Sequence, residues 1–200
     1  MTGLIIENAN LLDLAAGETL PATSVRVEGD RIVEVAHDGA RLEAGDDVRR
    51  LDAGGRTLLP GFIDAHVHAA ITTMDLAGMA RRSPTRIGIE AKVILERMLR
   101  RGFTTVRDAG GLDAGLKEAT ELGLIRGPRI FRSGRVLSQT GGHGDTAPPN
   151  HGDQPHLCAC SIHTTGFSHI ADGPDAVRRA VREELKNGAD QIKIMAGGGV

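Results

Sequence analysis

Alternation of apolar and polar positions marks the first quarter of the chain and predicts short strands. Apolar β-branched residues recur in Leu4–Ile6, Ser24–Val27 and Arg31–Val35, and the last two segments alternate with polar residues. The stretch Glu28–Arg31 between them is typical of a hairpin turn. We therefore expect residues 1–57 to form a small antiparallel β domain, either one sheet or half of a sandwich.

From residue 58 onwards, strand-like and helix-like patterns alternate. We expect helices at about 85–101, at 112–122 and from Asp172 to the glycine at 188. We expect strands at 62–68, 103–106, 129–132 and 191–195. Four strands with intervening helices predict a parallel sheet with helices outside it, an α/β fold, over residues 58–200. The segment at about 133–171 has no periodicity, and a loop of that length is often functional.

Bulk composition narrows the class of protein. The 200 residues are 40% hydrophobic and 25% charged with a formal net charge of −2, which is typical of a soluble globular protein and favours neither nucleic acid nor a membrane surface as a partner. No run of about 18 apolar residues predicts a membrane span, and Met1–Asn10 lacks the pattern of a signal peptide. Cys158 and Cys160 are spaced poorly for a structural disulfide, so we expect a reducing, cytoplasmic setting.

The segment His66-Val67-His68 is the strongest candidate for chemistry. It follows an apolar run and Pro60-Gly61, and Ile63–Val67 has the pattern of a buried strand. Side chains two apart on a strand point to the same face, so the two imidazoles would stand side by side. Neutral imidazole is a good ligand for zinc and similar metals. A lone histidine is usually a surface or core residue, but this pair in this setting favours metal binding.

A second group of metal-ligating residue types lies in the long aperiodic segment, at His151, His156, Cys158, Cys160 and His163. A zinc site is conceivable there, but the Cys-x-Cys spacing does not match the usual gap between zinc-ligating cysteines. We favour a variable loop that covers an active site.

Three stretches together resemble the amidohydrolase superfamily, in the branch of Xaa-Pro dipeptidases and imidazolonepropionase-like metal-dependent hydrolases. They are Pro60–His68, Ser138–Asp145 and Gly188–Val200, and the likeness covers nearly all of the chain. The resemblance implies the N-terminal half of a (β/α)8 TIM-like barrel, preceded by a small β-sandwich-type domain. The pair His66 and His68 would then end the first barrel strand and bind a divalent metal.

The resemblance also implies a role for Lys193. A lysine between Ile192 and Ile194 is unusual on a strand buried on both faces, although an edge or surface lysine is the ordinary interpretation. In the binuclear relatives the matching lysine is carboxylated and bridges two metals. We therefore expect two zinc ions per complete site and a carbamate, derived from carbon dioxide, on Lys193.

Three further residues are assigned by the same likeness and by position. His143, in a glycine-rich stretch after the third strand, would contact the substrate carbonyl or the oxyanion. Asp108 follows the second strand, where it either orients a ligand, caps the loop or pairs with Arg107. Asp64 shares the parity of His66, and it either has a structural role or is a second candidate for orienting a ligand.

The implied reaction is hydrolysis of a C–N bond in a small amide, as in a dipeptide or an N-acyl amino acid, by metal-activated hydroxide. Two alternatives stay open: a mononuclear hydrolase of a cyclic amide such as an imidazolone, and a non-catalytic half-barrel that acts in binding or assembly. Relatives are about twice as long, and their catalytic aspartate would lie beyond Val200. We therefore expect weak or no activity from these residues alone, and a homo-oligomer is left open.

Overall fold

The computed structural model describes residues 3–43, 45, 47–79, 82–145 and 167–197. These residues form two compact units, residues 1–60 and 61–200. No helix in the described ranges is long and apolar enough to cross a membrane.

The first unit is a single mixed sheet. Its strands are β1 (Gly3–Asp13), β2 (Glu18–Glu28), β3 (Arg31–Ala36), β4 (Arg49–Asp52) and β5 (Thr57–Leu58). The order is β3-β2-β1-β4, and β5 also pairs with β1. The three strands expected from the sequence are antiparallel neighbours, but β4 and β5 run parallel to β1, so the expectation of a purely antiparallel unit is wrong. Because β4 and β5 have only four and two residues, they are too short to carry an alternating pattern.

The second unit contains alternating strands and helices. In chain order they are β6 (Phe62–Val67), α1 (Leu76–Met79), α2 (Pro84–Arg100), β7 (Phe103–Asp108), α3 (Ala114–Glu121), β8 (Arg129–Arg132), β9 (Val136–Ser138), β10 (Ser168–Ile170), α4 (Gly173–Lys186) and β11 (Ile194–Met195). Two three-stranded sheets result, with orders β6-β7-β8 and β10-β9-β11, and every pair in them is parallel. The pairing is parallel as expected, but among the described residues the strands form two sheets, and the fourth expected strand lies apart from the first three.

Local signals place the two helices that follow β6 and β7. The side chain of Ser83 accepts a hydrogen bond from the Arg86 N–H and Pro84 occupies the first turn, so α2 begins where a capped helix should. Asp113 caps α3 in the same way through the Gly115 N–H. At the other end of α2, Gly102 has φ +92°, a conformation that favours glycine and turns the chain into β7.

One face of the β6-β7-β8 sheet packs against α2 and α3. Val106 and Ile130 on this face are buried with Leu95 of α2 in one core cluster. The opposite face is open in the described part of the chain, where Ile63 is 72% exposed and Phe131 is 43% exposed. The expectation that Ile63–Val67 is a fully buried strand is therefore wrong, because only one of its faces is covered by described residues.

The aperiodic segment 133–171 contains two strands that the sequence pattern did not predict. Ser133-Gly134-Arg135 separates β8 from β9. Whereas β8 pairs with β7, β9 pairs with β10 and β11. Each of β9 and β10 has three residues, which is too short for a detectable period. The His/Cys group from His151 to His163 lies outside the described residues.

Candidate metal centre

The end of β6 presents the two histidines. The Asp64 carboxylate accepts a hydrogen bond from the His66 N–H at 3.1 Å, and the β6–β7 register shifts between Asp64 and Val67. The two Nε2 atoms of His66 and His68 lie 3.3 Å apart, with the rings inclined at 69°.

His68 is held from two sides. Its Nδ1 lies 3.1 Å from the carbonyl oxygen of Gly110, and its ring lies 6.0 Å from the ring of Phe167. A neutral imidazole that donates from Nδ1 to this carbonyl keeps the lone pair of Nε2 free. A Cβ at Gly111 would come within 2.8 Å of the Phe167 ring, so glycine is needed for this close approach.

Asp108 organises the loop that carries the Gly110 carbonyl. This fully buried carboxylate accepts hydrogen bonds from the N–H groups of Ala69 at 2.8 Å, Gly110 at 3.0 Å and Leu112 at 3.3 Å. Burial raises the pKa of the Asp108 carboxyl above its ordinary value, while these donors and the nearby His68 oppose part of the rise. Arg107 instead donates to the Ala65 carbonyl at 2.7 Å. Asp108 thus caps the loop and reaches His68 through Gly110.

The geometry of the pair fits a metal ion. Zinc binds imidazole nitrogen at about 2.0–2.1 Å in a tetrahedral arrangement, which places two such nitrogens about 3.3–3.4 Å apart. The separation of the His66 and His68 Nε2 atoms, 3.3 Å, matches this value. The same separation suits an N–H···N hydrogen bond between the two rings when no ion is bound. Within the described ranges, no three His, Cys, Asp or Glu side chains form a group that could hold a metal.

Lys193 lies at the β10-β9-β11 sheet. It directly precedes β11, and its carbonyl accepts a hydrogen bond from the Leu137 N–H of β9 at 2.8 Å. The side chain is half-buried, and Ile194 is 59% exposed. The expectation of a strand over 191–195 that is buried on both faces is wrong, because β11 has two residues and one open face. Among the described residues, the Lys193 amino group has no hydrogen-bond or ion-pair partner.

His143 lies on a tight turn after β9, not directly after β8 as expected. Its side chain is exposed, and its N–H donates to the Gly197 carbonyl at 3.3 Å, which connects this turn to the chain after β11. The turn is fixed from both sides, because Ser138 Oγ accepts from the Gly144 N–H and Ser168 Oγ donates to the Gly144 carbonyl. Lys193 and His143 therefore belong to one sheet system, while the histidine pair belongs to the other.

Two contributors to the site were not found in the sequence. The Gly110 carbonyl is a backbone group, and its only signal was the Asp-Ala-Gly-Gly run at 108–111. Phe167 could not be identified from the sequence, because about one hundred residues separate it from His68 along the chain. Its contact with the His68 ring depends on how the chain before β10 packs near the end of β6.

Known proteins are similar to this chain over most of its length. The model of the amidohydrolase family matches residues 57–200. The ochratoxinase of Aspergillus niger is 34% identical over 151 residues, which is 72% of this chain and 32% of that protein. The imidazolonepropionase of Streptomyces avermitilis is 29% identical over 147 residues, 66% of this chain and 35% of that protein.

Solved structures are also similar to this chain. A prolidase in complex with N-methylphosphonate-L-proline superimposes with a TM-score of 0.87 at 41% identity, over 100% of this chain and 49% of that one. The likeness indicates a partial TIM-barrel fold for the α/β unit. In the first unit the described strands form one sheet, so the expected β-sandwich-type domain is not confirmed. The chain spans about a third of the length of the curated relatives and about half of the solved one.

Proposed function

Because the chain belongs to the amidohydrolase family, we propose that it supplies part of a binuclear metal centre that hydrolyses the C–N bond of a dipeptide or an N-acyl amino acid. The observation that carries the proposal is the pair of Nε2 atoms 3.3 Å apart, with one ring fixed by a backbone carbonyl. The other ligands and the catalytic aspartate would come from residues outside these 200.

In this proposal His66 and His68 would hold one divalent metal, zinc, and Lys193, as a carbamate, would be a ligand of the binuclear centre. The partner-free amino group of Lys193 supports the second role, because a neutral amine adds carbon dioxide to give a carbamate and a proton. The carbamate is an anion with two oxygens, which suits two cations.

When bound, the metals would lower the pKa of a water molecule towards about 7 and polarise the amide carbonyl. The residues of this chain have the remaining tasks. The Gly110 carbonyl keeps the His68 proton on Nδ1, so that Nε2 can donate its lone pair. His143, exposed on its fixed turn, donates a hydrogen bond to the carbonyl oxygen of the substrate as negative charge develops there.

The prolidase complex supports the substrate class. A tetrahedral phosphonate on a proline nitrogen has the shape of the adduct formed when water adds to an N-acylproline amide. At 41% identity over the whole chain, that protein is a good guide to the first substrates to test. We therefore expect N-acylprolines and Xaa-Pro dipeptides to be preferred over esters of similar size.

Metal content tests the proposal directly. After dialysis against zinc, the chain should retain zinc as measured by atomic emission, and His66→Ala or His68→Ala should lose it. The matched control is His37→Ala, which changes an exposed histidine in the first unit. Incubation with ¹³C-bicarbonate should give a carbamate signal in the NMR spectrum that Lys193→Arg removes. Zinc retention unaffected by either histidine would contradict the proposal.

The match to an imidazolonepropionase favours a second candidate, a mononuclear hydrolase of a cyclic amide. The state of Lys193 distinguishes the binuclear site from the mononuclear one, because a single metal needs no bridging carbamate. One zinc per chain without a carbamate signal favours the mononuclear site. No zinc at all favours a non-catalytic half-barrel.

A further inference from the structure

The described residues of the second unit enclose a cavity of about 640 Å³ that does not include the histidine pair. It lies beside the first turns of α2 and α3 and the last turns of α4. Ile87 and Gly88 of α2, Leu116 of α3 and Phe167 form apolar walls. The charged lining residues are Asp113, Arg132, Arg135 and Glu184. This volume is in the range of small-molecule sites, which are mostly apolar with a few fixed polar groups.

Among the described residues, Arg132 is the lining cation that makes no ion pair, and the exposed Asp113 carboxylate caps α3. Glu184 is neutralised, because it accepts hydrogen bonds from Arg135 Nε at 2.6 Å and from the Arg135 N–H at 3.0 Å. Arg132 is only 5% exposed, and within the described ranges its guanidinium donates to the carbonyls of Leu112 at 2.9 Å and Asn187 at 2.8 Å.

Within the described ranges, the Arg132 guanidinium has no carboxylate within ion-pair distance. The carboxylate of Asp190 accepts the backbone N–H of Arg132 and is paired with Lys117. The guanidinium is therefore buried without a direct ion pair, although the carboxylates of Glu184 and Asp190 lie near it. An anion that reached it would gain a charge-assisted hydrogen bond.

Gly88 keeps the apolar wall open. It lies inside α2, where glycine is a poor helix former, and a Cβ built on it meets nothing within 4 Å. A glycine that is not required by its backbone conformation or by a close contact leaves room for something to approach the helix. This observation is independent of the charge on Arg132, and it indicates the same cavity.

The geometry points to a second binding site, for a small carboxylate with an apolar body, whose anionic end meets Arg132 and whose body lies against α2 and Phe167. It requires no metal, and it does not depend on the proposed hydrolase function. Phe167 also contacts the His68 ring, so the site shares one wall with the histidine pair.

Calorimetry with 4-phenylbutyrate and its neutral analogue 4-phenylbutanamide tests this inference on the 200-residue chain. We expect one carboxylate bound per chain and at least about tenfold weaker binding of the amide, because only the acid carries the charge that Arg132 lacks. Arg132→Gln should remove the difference between the two compounds.

The cavity-filling variant Gly88→Leu keeps the test decisive if Arg132→Gln fails to fold. Leucine is a better helix former than glycine, so α2 should persist, while its side chain occupies the cavity and weakens 4-phenylbutyrate by at least about tenfold. Gly88→Ala is the matched control and should bind within about threefold of the unaltered chain. Equal affinity for acid and amide, unchanged binding by Gly88→Leu, or no binding at millimolar concentration would each overturn the inference.

Discussion

The Asp108 carboxylate connects the chain after β6 to the loop after β7, since its two oxygens accept N–H groups from both. Asp108→Asn keeps the size of the side chain but replaces one acceptor oxygen by an amino group that cannot accept. We expect a loss of about 1–3 kcal/mol in the free energy of unfolding, because a buried N–H is left without a partner. We also expect zinc affinity to fall by about 10–100-fold, as for other changes behind a metal-ligating histidine.

A chelator competition measures the zinc affinity and a urea titration measures stability. The control is Asp113→Ala, which removes the cap of α3 and should lower stability by about 0.5–2 kcal/mol without affecting zinc. Equal zinc affinity in Asp108→Asn and the unaltered chain would show that the Gly110 carbonyl does not position His68.

At the scale of residues, the sequence identified side chains better than their surroundings. His66, His68 and Asp108 carry chemical types that a spacing argument can select. The Gly110 carbonyl and Phe167 could not be selected, because one is backbone and the other depends on a contact between distant parts of the chain. The burial of Lys193 was overestimated, since a local apolar run does not report whether the second face of a sheet is covered.

At the scale of elements, Glu90 connects α2 to the loop before it. The Thr72 hydroxyl, first, and then Arg86 hold the pKa of the Glu90 carboxyl at about 2, below its ordinary value of 4.5. Since the folded-state pKa is the lower one, this ionised group stabilises the fold above pH 4.5, and the contribution is lost as the pH falls towards 2. Glu90→Gln should therefore lower Tm at pH 7 and have little effect near pH 2.

Thermal unfolding of both proteins between pH 2 and pH 7 measures this difference. Glu118→Gln, an exposed change on α3, should shift Tm little at any pH. A Tm difference for Glu90→Gln that is the same at pH 2 and pH 7 would show that the ionised carboxylate is not what connects α2 to the loop.

Two glycines at helices should respond to alanine with opposite signs. Gly88→Ala should stabilise the chain by about 0.5–1 kcal/mol, because helix propensity improves and the Cβ meets open space. Gly123→Ala should destabilise it, because Gly123 has φ +73° after α3, a conformation that costs alanine about 1–2 kcal/mol. Chemical unfolding of the pair measures both, and the same sign for the two would contradict the described α2.

The long helices α2 and α4 were predicted from the sequence, as was the four-residue strand β8, but the shortest strands were not. The patterns for α2 and α4 extend over 17 and 14 residues and include their caps or stops, so their positions were found within a few residues. Strands of two or three residues, such as β5, β9 and β10, hold too few positions for a period. Their pairing depends on contacts that no local pattern contains.

At the scale of the whole molecule, the open face of the β6-β7-β8 sheet should govern solution behaviour. Ile63 and Phe131 share this face with Arg107, and contiguous exposed apolar surface favours association. Purified as 200 residues, the chain should self-associate at high concentration, and Ile63→Glu should weaken the association. Sedimentation velocity over a concentration series measures it.

Leu122→Glu is the comparison, because Leu122 is similarly exposed, at 67%, but follows α3 outside the sheet. It should leave the sedimentation profile of the chain unchanged. Equal effects of the two substitutions would mean that association depends on general charge and not on this face.

The support of His68 by a carbonyl oxygen has a consequence for how the site tolerates mutation. A backbone carbonyl is present whatever residue occupies the position, so no single codon change deletes this acceptor. Changes can only move it, and Gly110 leaves little freedom for that, since a Cβ there would lie 2.4 Å from Val136 Cγ1. In a saturation scan of the loop after β7, loss of the site should therefore arise mainly from substitutions that alter loop shape, and side-chain chemistry should matter most at Asp108.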